Sequence, residues 1–185
     1  MNISWVLADN AVLDLTHDLD QMKRLGATWG SWRTWRAFQT DNVICHDQLK
    51  ASELVRRDFQ TRCNFYLSER IHAALDRPDG VRLYGGEFLH DVIRPEELVS
   101  LHLAATTSDI VLLLGWDLAD LRPNDDRLAT HQAQHHRNMV HQALKTYDKV
   151  QWVVVDHPEP LAEKLAQLPN IMTDSLDSVL KFATD

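Results

Sequence analysis

The chain has 185 residues, of which 27 are acidic and 19 basic, giving a formal net charge of −8. This length fits one domain with a buried core, and a composition of 44% hydrophobic and 25% charged residues is typical of a folded globular protein. The longest apolar run, residues 110–114, is too short to cross a bilayer, and no apolar region follows a basic N-terminus. We therefore expect neither a membrane span nor a secretory signal, and the net negative charge argues against general nucleic-acid binding.

The sequence contains two cysteines, Cys45 and Cys63. Two isolated cysteines do not form a disulfide framework, so two buried thiols in a reducing compartment are expected. This pattern favours a cytoplasmic location.

Short strands and helices alternate along the first half of the chain. Three apolar runs predict strands at residues 3–8, 42–45 and 81–84. Apolar side chains at helical spacing predict a short helix that begins near Leu19 and ends at Gly26. Between residues 48 and 75 apolar side chains recur every three or four positions, which predicts one long amphipathic helix, kinked near Asn64.

The second half continues the alternation. Pro95 and the two glutamates after it predict the start of a helix that ends near Thr107. Further apolar runs predict strands at residues 109–114, 150–155 and 170–173. Helical patterns cover residues 125–147, 161–168 and 176–180.

Apolar strands that alternate with helices are typical of parallel strands joined by right-handed crossovers. The sequence therefore predicts a single α/β domain, a three-layer α/β/α sandwich of the Rossmann-like or flavodoxin-like type. Its mainly parallel sheet is expected to contain five or six strands, with residues 110–114 and 153–155 central and buried.

Polar residues, most of them carboxylates, follow the predicted strands. The groups are Asp9-Asn10, His46-Asp47, Gly85-Gly86-Glu87, Gly115-Trp116-Asp117 and Asp156-His157. Ligands of open parallel sheets bind outside the carboxyl ends of the strands, so this edge is the predicted ligand site. For each single residue, capping a helix or forming a turn is the alternative.

Two carboxylates at this edge are candidate catalytic residues, Glu87 and Asp117, acting as nucleophile or base. Glu87 is the first choice because Gly85 and Gly86 allow a ligand to approach the backbone closely, at the end of a strand expected to be central. In the same site Asp9 and Asn10 would hold sugar hydroxyls and Trp116 would contact a base. The candidate ligand-binding residues are Asp9, Asn10, Trp29, Arg33, Gly85, Gly86, Gly115, Trp116 and Asp156.

Three common catalytic motifs are absent from the sequence. It contains no GxGxxG, no GxxxxGK[ST] and no GxSxG. This argues against a standard dinucleotide enzyme, a P-loop NTPase and an α/β-hydrolase esterase, and no cofactor is expected.

Residues 26–36 form a Trp-rich segment with three tryptophans and two arginines, each type at a spacing of three: Trp29, Trp32, Trp35, Arg33 and Arg36. On one side of a helix or tight loop these side chains could stack on a base and bind a phosphate. They could equally be the packed face of a helix, with the arginines in solvent, or a contact surface for assembly. One of the arginines could also form an ion pair with Glu87.

The predicted helix over residues 125–147 has almost no apolar stripe before Asn138. This favours a projecting polar helix, a lid over the site or an oligomer contact. His131 and His135, four positions apart, are weak candidate metal ligands, because no glutamate stands beside them as in HExxH.

Residues 108–116, the polar helix after them and the strand at 150–155 resemble the C-terminal half of nucleoside 2-deoxyribosyltransferase-like proteins. The resemblance covers about a third of the chain and implies an α/β fold with a nucleoside or nucleotide ligand. Met139 stands where the family carries its nucleophilic glutamate, and the first strand lacks the family's Gly-Pro turn. No catalytic residue is therefore carried over.

Taken together, these features predict a protein that binds a small nucleoside or nucleotide. It would be either an enzyme that cleaves an N-glycosidic or phosphate bond, as a hydrolase or glycosyltransferase, or a non-catalytic nucleotide sensor. An oligomeric assembly protein is the third hypothesis.

Overall fold

A computed structural model of the chain describes residues 1–8, 19–85, 96–119 and 127–181, the side chains of 127–133 excepted. The strands in these ranges are β1 (Ile3–Leu7), β2 (Ala27–Ser31), β3 (Asn42–Ile44), β4 (Asn64–Ser68), β5 (Arg82–Tyr84), β6 (Ile110–Leu114), β7 (Gln151–Val155) and β8 (Ile171–Asp174). The helices are α1 (Leu19–Leu25), α2 (Trp32–Phe38), α3 (Gln48–Arg56), α4 (Glu69–Ala74), α5 (Glu96–Thr107), α6 (Arg127–Thr146), α7 (Glu163–Ala166) and α8 (Leu176–Lys181). None of the described helices is both long and apolar enough to cross a membrane.

All the strands described belong to one parallel sheet with the order β5-β4-β3-β2-β1-β6-β7-β8. The chain therefore builds outward from β1 in one direction as far as β5, then returns to the other side of β1 for β6, β7 and β8. The point between β1 and β6 is the topological switch of a doubly wound fold. The predicted α/β class is confirmed.

The two faces of the sheet can be read from alternate residues of β6. Val111 and Leu113 pack in a core cluster with α5 and α6, whereas Leu112 and Leu114 pack in another with α1 and α8. A third cluster, around Phe65, joins α3 and α4 to the strands on the β5 side. This alternation is that of a strand buried on both faces, and it gives three layers.

The strand count of five or six is wrong, because the sheet has eight strands. One missed strand, β4, lies within the residues predicted as one long helix, which is in fact α3, a 3-10 turn (Phe59–Thr61), β4 and α4. Within β4, Phe65 and Leu67 are buried and their neighbours are half-buried, which is the period of a strand. The Ser68 hydroxyl then caps α4 by accepting from Ile71 N.

The other missed strand, β2, begins inside the Trp-rich segment. Its last four residues are buried and it lies between β1 and β3, so Trp29 belongs to the sheet. Ser31 ends the strand and caps α2, where its hydroxyl accepts from the backbone N of Arg33 and Thr34. Trp29 therefore packs in a different cluster from Trp32 and Trp35 on α2.

Candidate functional site

A cavity of about 450 Å³ lies at the carboxyl ends of β6 and β7. It is lined by Gly115, Trp116 and Asp117 after β6, by residues 156–159 after β7, and by Arg137 from α6. The cavity is next to the switch between β1 and β6. We call it the β6–β7 cavity.

Left-handed backbone turns at the ends of both strands form the floor of this cavity. Gly115 has φ +78° and Asp156 has φ +51°. Glycine adopts this conformation at little cost, and aspartate tolerates it better than most residues. The Asp156 carboxylate accepts from Leu176 N at 2.9 Å, at the start of α8, so its first role is structural.

His157 joins the two segments that line the cavity. Its Nε2 accepts from Leu118 N at 3.1 Å, and its Nδ1 donates to the carbonyl oxygen of Glu159. A second bond, from Ala162 N to Leu118 O at 2.8 Å, holds the same two segments together. The imidazole is therefore fixed as the tautomer with its proton on Nδ1.

Arg137 and Asp117 form an unequal ion pair at the cavity. Arg137 Nη2 donates to Asp117 Oδ2 at 3.3 Å, with side chains 11% and 77% exposed respectively. The Nε and Nη1 atoms of Arg137 are buried and have no hydrogen-bond partner within the part of the chain that the structure describes. A guanidinium taken out of water with one long bond is poorly compensated.

Trp116 connects the cavity to the centre of the sheet. Its ring is buried, and Nε1 donates to the carbonyl oxygen of Val6 on β1 at 3.0 Å. The His136 ring stacks on the Trp116 ring, with the two centroids 6.1 Å apart, and His136 Nε2 lies 3.9 Å from Glu97 Oε2. Burial and the neighbouring Arg137 lower the pKa of His136, so the stacked ring is neutral at pH 7.

A second polar cluster lies at the carboxyl ends of β3 and β5. The Tyr84 hydroxyl is 2.8 Å from His46 Nδ1, and His46 N donates to Glu96 Oε1 at 2.7 Å. Burial raises the pKa of the Cys45 thiol, and the Glu96 carboxylate raises it further, so this thiol stays protonated. Burial also lowers the pKa of His46. This cluster is a hydrogen-bonded tie between α5 and the sheet.

Because burial lowers the pKa of folded His46 below its ordinary value of 6.5, the protein should lose stability in acid. The unfolded chain binds the proton first, so this stability is complete above about pH 6.5 and falls as the pH drops toward the folded pKa. The loss is about 1.4 kcal/mol for each unit by which the two pKa values differ. Urea unfolding from pH 7.5 to 5 should give a shallower pH dependence for His46→Gln than for the parent.

If the free energy of unfolding depends on pH equally in the parent and in His46→Gln, His46 is not the source of the loss of stability in acid.

The structure brings four of the predicted site residues together in the β6–β7 cavity: Gly115, Trp116, Asp117 and Asp156. Another four lie outside the described residues: Asp9, Asn10, Gly86 and Glu87. The remaining three, Trp29, Arg33 and Gly85, are not among the residues that line the cavity. Trp29 is a core residue whose Nε1 donates to Ser4 Oγ at 3.2 Å, and Arg33 lies over the Trp32 ring.

The strand that precedes Gly85 was expected to be central, and this is wrong. It is β5, at the edge of the sheet. The ends of β5 and β6 are five strand spacings apart, about 24 Å at the usual spacing of a sheet. The order of strands follows from crossover packing, which the sequence of a single strand does not reveal.

Only one of the two candidate metal ligands, His131 and His135, has a described side chain. His135 is exposed, and the His131 side chain lies outside the described residues. Over the part of the chain that is described, no three His, Cys, Asp or Glu side chains are arranged to hold a metal ion.

Three cavity residues with polar or charged side chains were not among the predicted site residues: Arg137, His157 and Glu159. His157 belongs to a strand-end group and could have been found from that position. Arg137 lies in the polar half of α6, and its burial depends on how α6 packs beside the segment after β6. The sequence carried no local signal for it.

Comparison of the chain with protein-family models, with curated proteins and with solved structures finds no match.

Proposed function

We propose that the protein binds a nucleoside or nucleotide in the β6–β7 cavity. The observation that carries this proposal is the position of the cavity, at the carboxyl ends of two interior parallel strands beside the topological switch. Doubly wound sheets bind nucleotides outside the carboxyl ends of their strands at the switch point, which here lies on the other side of β6 from β7. The volume of about 450 Å³ falls within the usual range for small-molecule sites, about 300–1,000 Å³.

The cavity also has polar groups of the right kinds. The Asp117 carboxylate is exposed at the cavity and can accept hydrogen bonds from sugar hydroxyls. Arg137 supplies a positive charge. His157 holds the two lining segments in place before a ligand arrives, which lowers the ordering cost of binding.

Calorimetry and thermal unfolding with a series of nucleosides and nucleotides test this proposal. At a ligand concentration one hundred times Kd, the expected stabilisation is about 2.7 kcal/mol. Asp117→Trp places a large ring at the cavity from an exposed position and should abolish this stabilisation.

Asp148→Trp is the matched control, because Asp148 is exposed and lies before β7, at the opposite edge of the sheet. Two results would exclude a nucleoside site in this cavity. One is that Asp117→Trp binds the ligand as tightly as the parent, and the other is that no nucleoside or nucleotide of the series stabilises the parent.

A second candidate function is cleavage of the N-glycosidic or phosphate bond of the bound ligand. The exposed Asp117 carboxylate favours it, since a nucleophile or base must reach the reacting atoms. Release of free base or phosphate would be lost in Asp117→Asn while the ligand still binds. Binding without turnover by the parent would identify a sensor.

A further inference from the structure

Building on the proposed nucleoside or nucleotide site, we infer that its ligand carries one phosphate, which takes the place of Asp117 beside Arg137. The ligand class is then a nucleoside monophosphate. Asp117 acts as an internal anion that accompanies Arg137 while the cavity is empty.

Arg137 is a buried cation with unused hydrogen-bond donors. Its side chain is only 11% exposed, and two of its three guanidinium nitrogens have no partner among the described residues. A guanidinium offers five donors in a planar fork, so most of its hydrogen-bonding capacity is unused here. A buried cation of this kind needs an anion to compensate it.

Asp117 is a weak partner for Arg137. Asp117 Oδ2 contacts Nη2 alone, at 3.3 Å, whereas charge-assisted bonds are usually about 2.7–2.9 Å. The carboxylate is 77% exposed, so it can turn into water without losing buried contacts. Displacing it from Arg137 is therefore easy.

A phosphate group matches the donors of Arg137. A phosphate has several oxygens and accepts two parallel bonds from a guanidinium, which the single contact of Asp117 does not provide. The cavity adds two more carboxylates, Asp156 and Glu159, to that of Asp117. Three carboxylates among the residues that line the cavity, against one arginine, repel additional negative charge, so the cavity favours one phosphate over a triphosphate. The ligand's hydroxyls supply donors to the carboxylates.

The experiment compares a nucleoside, its monophosphate and its triphosphate by calorimetry. The parent should bind the monophosphate at least tenfold more tightly than either of the others. In Arg137→Gln the ratio between the affinities for monophosphate and nucleoside should fall to near one. Asp117→Asn removes the competing anion and should raise the ratio between the affinities for monophosphate and nucleoside severalfold.

Lys145→Gln is the matched control, because it removes the same charge from an exposed position of α6 outside the cavity lining. It should preserve the ratio between monophosphate and nucleoside. Arg137→Lys keeps the charge but loses the fork, and should give an intermediate ratio.

A parent that binds the nucleoside as tightly as the monophosphate overturns the inference and leaves the proposed function standing. An unchanged ratio in Arg137→Gln also overturns it. If Arg137→Gln does not fold, a ratio in Asp117→Asn that is no higher than in the parent has the same meaning. If no nucleoside or nucleotide binds, the anion site is tested by the effect of inorganic phosphate on the thermal stability of the parent and of Arg137→Gln. Stabilisation of the parent but not of Arg137→Gln supports the anion site and rejects the nucleoside function, whereas no effect rejects both.

Discussion

Replacing Leu113 by alanine is expected to destabilise the protein by about 2–5 kcal/mol. Leu113 is fully buried in β6, which lies between β1 and β7, and it packs in the cluster that includes residues of α5 and α6. The substitution removes three carbon atoms from a site closed on all sides, so it leaves a cavity that the surrounding strands cannot easily fill. Urea unfolding at neutral pH measures the change in the free energy of unfolding.

Leu83→Ala is the matched control on the edge strand β5. Its side chain is 46% exposed, so the same truncation should change the free energy by less than about 1 kcal/mol. Equal losses at the two positions would show that β6 is not the buried centre of the sheet.

Gly26→Ala is expected to be at least as damaging, at about 4 kcal/mol or more. A Cβ at Gly26 would lie 2.0 Å from the carbonyl oxygen of Ile3 in β1. Both atoms belong to or adjoin the backbone, so the clash can be relieved only by moving β1 away from the turn between α1 and β2. Gly26 N also donates to Met22 O, which holds the end of α1 at this point.

The comparison is Gly85→Ala, where the new Cβ would lie 3.3 Å from Glu69 Oε1, the far end of a flexible side chain. This substitution should stay within about 1 kcal/mol of the parent. Parent-like unfolding of Gly26→Ala would mean that the contact between β1 and this turn is looser than the structure shows.

The sequence was most informative where a strand is apolar throughout. The short runs that became β6 and β7 fit strands buried on both faces, and both strands are interior. The sequence led to a wrong prediction where the same apolar residues fit both the period of a helix and that of a strand. In residues 48–75 the strand β4 supplies apolar side chains at positions that also fit a helix, and only pairing with β3 and β5 decides between them.

The candidate site divides in the same way. Gly115, Asp117 and Asp156 could be named from their positions after apolar strands. Arg137 could not, since its burial follows from the packing of α6 against a segment twenty residues earlier in the chain. Long-range packing also decided that the strand before Gly85 lies at an edge.

The central position of the first strand has a consequence for biosynthesis. β1 leaves the ribosome first, yet Ile3 pairs with Ile110 of β6, which is translated about a hundred residues later. The strands β2 to β5 can assemble on one side of β1 in the meantime. Until β6 arrives, the nascent chain presents the other edge of a strand that is buried in the finished fold, with unpaired backbone groups and apolar faces. The order of the strands therefore leaves this edge open to unwanted strand pairing until β6 has been translated.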